Sequence, residues 1–317
     1  MRILIKWLPL LLVSVLFFGG CQKTEGQKVK DSYTFTDDLG REVSVDHPVR
    51  VAALLGSYAE IWQLSGGEIC AVVDDAWDDM GLELAEDTVN LGNTKEPGVE
   101  KLLAARPDFI LASARTKADL DMMDTLESAK IPTAYFYTVG FEDYLRMLKI
   151  CTEITGREEL YEKNGLEVQK QIEEVVKESK ERLEGAEAPK ILMLRASASS
   201  IRAKNSEGDV LAEMLAALGC VNIADSESSL LENLNVEYII RQDPDYIFTV
   251  QSGDDVKGTE KALTELFTQN PAWASLSAVK EGRVFMMEKR LYNLKPNARW
   301  GEAYEKLEEI LSEGTVK

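Results

Sequence analysis

Basic and aromatic side chains follow the predicted strands of this 317-residue sequence, near the strands' carboxyl ends. In the first half of the chain they are Tyr58, Trp77, Arg115 and Tyr137, and in the second half they are Arg195, Arg202, Lys204, Gln251 and Tyr292. Guanidinium groups pair with carboxylate or catecholate oxygens, and aromatic rings stack on flat ligands. Each residue alone would equally fit a surface cation or a half-buried core ring. Their recurrence at strand ends favours a pocket for a large, partly flat and anionic ligand.

The residue types that catalysis needs are scarce. The sole histidine, His47, precedes Pro48 in a loop, so a Ser-His-Asp relay or a multi-histidine metal cluster lacks partners. The sequence has no G-x-S-x-G, G-x-x-x-x-G-K-[ST] or G-x-G-x-x-G motif. The paired carboxylates Asp74/Asp75 and Asp78/Asp79 have the chemistry for acid–base work, but neighbouring acids on a turn are more often simply solvated. The sequence therefore predicts a binding protein and not an enzyme.

One motif occurs twice, as GVEKLLAARPDFILA from Gly98 and as NVEYIIRQDPDYIFT from Asn235. Each copy predicts a short helix, a proline that ends it, and a hydrophobic strand. Glu100 and Glu237 occupy the same first-turn position in the two copies. A carboxylate there favours the helix N-terminus by about 0.3–1 kcal/mol, which explains one glutamate but not a matched pair.

Strand and helix patterns alternate in both halves of the chain, which is typical of α/β folds. A hairpin is predicted at YTFTDDLGREVSVD, followed by a strand and a helix begun by Ser57. Between the halves, 158–183 is rich in Glu, Lys and Gln, with apolar residues at helical spacing, and predicts one helix of about 39 Å. We therefore expect two α/β lobes, 33–156 and 187–317, joined by a single long helix within 157–186, with the ligand cleft between the lobes. The second lobe ends in a terminal helix.

The first 20 residues have the features of a signal peptide: cationic Arg2 and Lys6, an apolar run too short to cross a bilayer, and two glycines before Cys21. The small residues before Cys21 resemble a bacterial lipobox, which predicts cleavage there and lipidation of the thiol. An ordinary secretory signal is the alternative. Residues 21–32 then form a polar, flexible tether. The other three cysteines lack CxxC spacing and are expected to be apolar free thiols.

The chain is strongly acidic, with 55 Asp and Glu against 36 Lys and Arg and a formal charge of −19. Nucleic acid is excluded as a partner, because phosphate binding requires a basic surface. The acidity itself indicates no more than solubility outside the membrane.

Three segments carry a family resemblance: TFTDDLGREVSVDHPVRVAALLGSYAEIWQLSGG, EKLLAARPDFILAS, and AVKEGRVFMM followed by a C-terminal helix. Together they resemble the substrate-binding lipoproteins of ABC importers that handle ferric siderophores, haem and cobalamin, over nearly the whole span from Tyr33 to Leu311. The resemblance implies two lobes joined by one long helix, in agreement with the periodicity. It also implies that Glu100 and Glu237 contact arginines of a dimeric permease coupled to an ATPase. The protein would be an extracytoplasmic monomer without an intrinsic cofactor, lipid-anchored to the cell membrane on its outer face or its periplasmic side.

The expected ligand is a ferric siderophore or a related iron chelate, because several Arg and Lys candidates surround the cleft. Haem or cobalamin stays open as the alternative. Haem usually needs an axial His, Tyr or Met, and with His47 badly placed the candidates are Tyr58, Tyr137, Tyr292 and Met287. The alternative from a different class is a cell-surface glycan or wall hydrolase with two carboxylates flanking the cleft.

Overall fold

The computed structural model describes residues 32–313. The predicted signal peptide, the lipidation of Cys21 and nearly all of the tether lie outside the described residues. Among the described helices, none is both long enough and apolar enough to cross a membrane.

The described chain opens with the predicted hairpin. Strands β1 (Tyr33–Thr36) and β2 (Glu42–Val45) pair antiparallel, with Phe35 opposite Val43. The buried carboxylate of Asp37 accepts a hydrogen bond from Nη2 of Arg41 at 2.7 Å and another from the backbone N–H of Tyr135 at 3.2 Å. This carboxylate therefore fixes both the turn and the position of the hairpin against the first lobe.

The N-terminal lobe is built on a five-stranded parallel sheet. Its strands are β3 (Val51–Ala53), β4 (Ile69–Val72), β5 (Val89–Asn90), β6 (Phe109–Ser113) and β7 (Thr133–Phe136), in the order β5-β4-β3-β6-β7. The helices between them are α1 (Gly56–Leu64), α2 (Asp75–Asp78), α3 (Val99–Ala105), α4 (Lys117–Asp121) and α5 (Met123–Ser128). Every residue of β3, β6 and β7 is buried, as expected for parallel strands covered on both faces.

A helical segment joins the lobes. Helix α6 (Phe141–Thr155) ends at Gly156, whose φ of 69° requires the left-handed conformation, and α7 (Glu158–Tyr161) follows. A π-helical turn (Glu162–Leu166) then leads into α8 (Glu167–Arg182). Gly165 is needed in that turn, because a Cβ there would lie 2.8 Å from Cδ1 of Leu145. The predicted long helix is thus present, with a π-helical irregularity that its apolar spacing does not reveal.

The C-terminal lobe has a second five-stranded sheet. Its strands are β8 (Lys190–Ser197), β9 (Ser200–Lys204), β10 (Val221–Asn222), β11 (Tyr246–Gln251) and β12 (Val284–Met287). Strands β10-β8-β11-β12 are parallel neighbours, and β9 pairs antiparallel with the second half of β8. The order matches β4-β3-β6-β7 of the first lobe, which confirms the prediction of two α/β lobes. Their residue boundaries stay a prediction.

Short helices connect the strands of this second sheet. They are α9 (Val210–Ala217), α10 (Ser229–Glu232), α11 (Val236–Gln242), α12 (Val256–Thr264) with a π-helical extension (Glu265–Gln269), α13 (Pro271–Ala274), α14 (Ser277–Lys280) and α15 (Lys289–Tyr292). A 3₁₀ turn (Asn297–Arg299) leads into the terminal helix α16 (Trp300–Glu313), which packs on α8. Arg182 of α8 donates to the carboxylate of Glu308 at 2.6 and 3.0 Å across that contact.

The doubled motif has the same local structure in both lobes. Residues Gly98 and Asn235 precede the two helices with ψ of 93° in each case. After the helices, Asp108 accepts hydrogen bonds from the backbone N–H groups of Val49 and Arg50, at 2.9 Å each. Asp245 accepts in the same way from the backbone N–H of Lys190 at 2.8 Å. The repeated aspartate therefore ties the start of one strand to its neighbour, and its recurrence has a structural cause.

One prediction about local structure needs correction, and one strand has no counterpart in the predictions. Ser57 does not cap α1: the helix already includes Gly56, whose backbone N–H donates to Oδ1 of Asp75 at 2.8 Å. Strand β9 was not predicted, because SIRAK is short and places two cations on one face. The expectation of free thiols is confirmed for the described cysteines, with Cys151 and Cys220 buried and Cys70 half-buried.

Candidate functional site

The strand order of each sheet defines where a cleft can form. In the first lobe, β3 and β6 are neighbours in the sheet. The chain continues from β3 through α1 to β4 on one side, and from β6 to β7 on the other side, so the two connections run toward opposite edges of the sheet. The pair β8 and β11 has the same relation in the second lobe. Ligands of such sheets bind beyond the carboxyl ends of the strands at this switch in direction. Arg115 follows β6 and Gln251 ends β11, so both lie at this edge.

Arg115 and Tyr137 form the cationic and aromatic part of the first lobe's edge. The guanidinium carbon of Arg115 lies 5.1 Å from the ring centroid of Tyr137, and its Nη1 is 3.5 Å from the phenol oxygen. Both side chains are exposed, Tyr137 by 38%. The pair therefore presents a positive charge and a ring to the same region.

The β8–β9 hairpin brings together three cations that the sequence analysis selected. Arg195 and Arg202 are direct cross-strand partners, and Lys204 follows two residues later on the same side of β9. Like charges directly opposite one another destabilise a strand pair. Nη2 of Arg195 donates to the buried carboxylate of Asp209 at 2.6 Å, which offsets one of the charges. Nε of Arg195 is buried and finds no hydrogen-bond acceptor among the described residues.

Lys295, a residue that no sequence pattern indicates, is half-buried in the segment between α15 and the 3₁₀ turn. Burial lowers the pKa of its ammonium, and the positive charges of Arg115 and Arg195 lower it further. Asp209 and Asp143 act in the opposite direction. Cations from both lobes are thus close enough to Lys295 to disfavour its protonated form. No local pattern identifies Lys295, because its position depends on contacts between the lobes.

Those contacts are made by the segment after β12. The carboxylate of Glu60, on α1, accepts from Nη2 of Arg290 at 2.6 and 2.7 Å. Nη1 of Arg290 donates to the carbonyl oxygen of Lys295 at 2.7 Å. The amide of Asn297 donates to the carbonyl oxygen of Ser57 at 3.0 Å. The segment that carries Lys295 is therefore fastened to the first lobe on both sides of the lysine.

The remaining predicted ligand residues lie elsewhere or have other contacts. Tyr58 and Tyr292 are each 1% exposed, and their hydroxyls donate to the carbonyl oxygens of Phe136 at 2.8 Å and Ala303 at 3.0 Å. Both are core residues in this structure, so their assignment as ligand contacts is corrected. Trp77 is half-buried against the first lobe's core, and the amide of Gln251 donates to the carbonyl oxygen of Gly253 at 3.0 Å.

Glu100 and Glu237 are both exposed, each in the first turn of its helix. Helix α3 begins after the carboxyl end of β5, and α11 begins at the corresponding place in the second lobe. The topology therefore puts both carboxylates toward the cleft edge of their sheets, one in each lobe.

The paired carboxylates considered for acid–base chemistry have structural contacts. Asp75 binds the start of α1, and burial raises the pKa of its carboxyl to about 6. Asp79 accepts a hydrogen bond from Nζ of Lys289 in the other lobe at 2.5 Å. Within 32–313, no group of three or more His, Cys, Asp or Glu side chains is arranged to hold a metal ion.

Comparisons with known proteins agree with this architecture. The chain is 24% identical over 298 residues to the Fe(3+)-citrate-binding protein YfmC of Bacillus subtilis, covering 89% of this chain and 88% of the relative. Its fold is similar to that of Staphylococcus aureus SirA solved with staphyloferrin B, with a TM-score of 0.67, 21% identity and coverage of 89% and 98%. It is also similar to the periplasmic haem-binding protein RhuT from Roseiflexus sp. RS-1, with a TM-score of 0.68, 18% identity and coverage of 84% and 98%. Residues 51–291, most of the chain, match the sequence profile of the family described as periplasmic binding protein, and the chain therefore belongs to that family.

Proposed function

We propose that this protein captures a ferric siderophore or a related iron chelate outside the membrane and delivers it to an ABC permease. The observation that carries the proposal is the placement of cations near the carboxyl ends of strands in both lobes: Arg115 beside Tyr137 in the first, and Arg195 opposite Arg202 in the second. Like charges directly opposite one another, as on Arg195 and Arg202, cost free energy, which an anionic ligand would recover. The Arg115–Tyr137 pair adds a ring surface for the flat part of such a ligand.

The nature of the relatives favours iron. The Bacillus subtilis relative YfmC is named an Fe(3+)-citrate-binding protein, and SirA was solved with staphyloferrin B. Ferric chelates of carboxylate and catecholate ligands are anionic, and their outer oxygens accept hydrogen bonds from guanidinium and ammonium groups. The charge of the proposed cleft is therefore opposite to that of the proposed ligand.

A binding titration and a turnover assay test this function together. Ferric citrate and a ferric tris-catecholate would be titrated into the purified protein while its tryptophan fluorescence is followed. We expect saturable binding of at least one chelate, recovered unchanged from the protein. Failure of all ferric chelates to bind would refute the proposal. Release of sugars from cell-wall glycans would support the hydrolase instead.

Haem is the second candidate, and the exposure of Tyr137 favours it. Of the four axial candidates, Tyr58, Tyr292 and Met287 are buried, whereas Tyr137 is 38% exposed at the cleft edge beside Arg115. A tyrosinate bound to ferric iron with a nearby guanidinium is a workable haem site. A Soret band in protein purified from its source, lost in Tyr137→Phe, would support haem over an iron chelate.

Delivery to the permease is assigned to Glu100 and Glu237. Their matched placement, one in each lobe, suits a dimeric permease that offers two like arginine patches. The protein is proposed to act as a monomer tethered through lipid on Cys21, without an intrinsic cofactor and without catalytic activity.

A further inference from the structure

We propose that Lys295 selects the charge of the bound chelate, and that Arg290 is the positioning residue that places Lys295 between the lobes. This inference rests on the proposed function and makes it narrower. The ligand is a ferric chelate that keeps negative charge on its outer oxygens, as hydroxycarboxylate and catecholate complexes do, and a neutral chelate is rejected.

The backbone of Lys295 is held in place by its neighbours on both sides. It follows α15 and precedes Pro296, which restricts its backbone to extended conformations. Arg290 binds its carbonyl oxygen at 2.7 Å and simultaneously binds Glu60 of the first lobe. On the other side of the lysine, Asn297 is fully buried, with a φ of 53°, and binds the backbone at Ser57. The lysine backbone is thus fixed before any ligand arrives, which lowers the entropic cost of binding.

Charged groups of both signs act on this lysine. The groups that act on its ammonium are two guanidinium groups, of Arg115 and Arg195, and two carboxylates, of Asp209 and Asp143. Both carboxylates already pair with arginines: Asp209 with Arg195 at 2.6 Å, and Asp143 with Arg146 at 3.0 Å.

Most of the cations near the site, in contrast, have no carboxylate partner among the described residues. In the described part of the chain, no carboxylate forms an ion pair with Arg115, Arg202, Lys204 or Lys295. The buried Nε of Arg195 likewise has no acceptor among the described groups. The site therefore has an excess of positive charge, in a chain whose formal net charge is −19.

Neutral and anionic chelates would have opposite effects on this excess of positive charge. A neutral chelate that fills the cleft removes water from the cations and gives them no counter-charge, which is costly. An anionic chelate supplies that counter-charge and accepts hydrogen bonds from the ammonium and guanidinium groups. It also stabilises protonated Lys295, so binding should take up a proton wherever the free lysine is partly deprotonated.

The test compares three probes of different charge: ferric citrate, a ferric tris-catecholate and a neutral ferric trihydroxamate. Dissociation constants would be measured for the native protein, for Lys295→Met, and for the control Lys170→Met, whose side chain is 77% exposed on α8. We expect the native protein to prefer an anionic probe over the neutral one. We expect Lys295→Met to reduce that preference by about 10-fold or more, the size of one lost hydrogen bond to a charged group. Lys170→Met should not change it.

Two further measurements separate positioning from folding. Arg290→Lys keeps the positive charge but cannot bind both the carbonyl oxygen of Lys295 and the carboxylate of Glu60 as the guanidinium does. We expect it to reduce the preference for anionic chelates toward that of Lys295→Met. Calorimetry in buffers of different ionisation heat, between about pH 7 and 10, should show proton uptake on binding that Lys295→Met abolishes. The uptake is a readout that a purely structural role of Lys295 would not produce.

The outcomes are distinct from those that test the function itself. If the native protein binds anionic and neutral ferric chelates equally, or if Lys295→Met preserves the preference, the inference is wrong and the proposed function stands. If the native protein binds no ferric chelate, both are wrong. A third outcome concerns Arg290 alone. If Lys295→Met abolishes the preference for anionic chelates but Arg290→Lys, shown by circular dichroism to be folded, does not reduce it, the positioning role of Arg290 is refuted. The role of Lys295 then stands.

Discussion

Glu60 and Arg290 are 230 positions apart in the chain and in direct contact, with both carboxylate oxygens accepting from Nη2 at 2.6 and 2.7 Å. The two side chains are only 20% and 13% exposed. Since Glu60 belongs to α1 and Arg290 to α15, this ion pair joins the lobes beside the cleft. It couples the geometry of the ligand site to the stability of the fold.

Removing the arginine should therefore destabilise the whole protein. Arg290→Ala leaves the largely buried Glu60 carboxylate without its cation, and we expect a loss of about 3 kcal/mol in the free energy of unfolding. Urea unfolding measures this directly. The control is Arg157→Ala, which removes a pair with Glu159 that is 51% and 62% exposed and should change stability by less than about 1 kcal/mol. Equal losses in both variants would contradict the prediction.

The cations of the β8–β9 hairpin should contribute separately to ligand affinity. Arg195→Ala and Arg202→Ala are each expected to weaken binding of an anionic ferric chelate by about 1.5–3 kcal/mol. The two variants should differ in stability. Arg195→Ala also leaves buried Asp209 without its ion-pair partner at 2.6 Å, whereas the side-chain hydrogen bond of Arg202 within the described residues is a 3.3 Å contact to Ser200. Unchanged titrations for both variants would remove the hairpin from the site.

The docking role of the repeated glutamates can be separated from ligand capture. Glu100→Lys combined with Glu237→Lys should leave ligand affinity in solution near its original value. It should abolish cellular uptake and stimulation of the permease ATPase, because like charges then meet across the contact. Each single reversal should cost less, since exposed charges are screened. Normal uptake by the double variant would mean that the glutamates are only helix-start residues.

Stability should fall as pH rises from about 4 to 7, because of a buried acid in the first lobe. Asp119 is fully buried, Oδ1 has no hydrogen-bond partner within the described residues, and burial raises the pKa of its carboxyl to about 7. The ordinary value is about 3.9. The folded protein therefore keeps a proton that the unfolded chain releases in this range. This contribution to stability is complete below about pH 4 and is lost as pH approaches 7.

Asp119→Asn should remove most of that slope. We expect the variant to lose less stability than the native protein between pH 5 and pH 8, by on the order of 3 kcal/mol in urea unfolding. Some slope should remain, because burial also raises the pKa of Asp75 to about 6. Asp121→Asn is the matched control, since its side chain is 60% exposed. Parallel profiles for all three proteins would refute the assignment to Asp119.

Ligand binding should close the cleft only slightly. The helical connection from Glu158 to Arg182 and the Glu60–Arg290 pair both resist hinge motion between the lobes. Small-angle scattering should show a decrease of less than about 1 Å in a radius of gyration of about 19 Å. A contraction of several ångströms on addition of a bound chelate would contradict this expectation.

Sequence patterns predicted the elements that depend on local forces. A continuous apolar run predicts the strand Phe109–Ser113, and apolar residues at helical spacing predict α8. Both elements are present. Tyr58 and Tyr292 were placed in the ligand site because position after a strand does not tell whether a ring faces the cleft or the core. Lys295 was missed for the complementary reason. Its location depends on Arg290 meeting Glu60, a contact between distant parts of the chain that no periodicity encodes.

Strand β9 occurs only in the C-terminal lobe, since in the first lobe α1 starts at Gly56, directly after β3. The ligand edge is consequently one-sided, while Glu100 and Glu237 occupy equivalent first-turn positions in the two lobes. A permease with true twofold symmetry would then accept the protein in either of two orientations that differ by a half-turn. This degeneracy favours docking by RT ln 2, about 0.4 kcal/mol. It also means that the cargo reaches the translocation path facing either subunit, so that path would have to receive the chelate in both orientations.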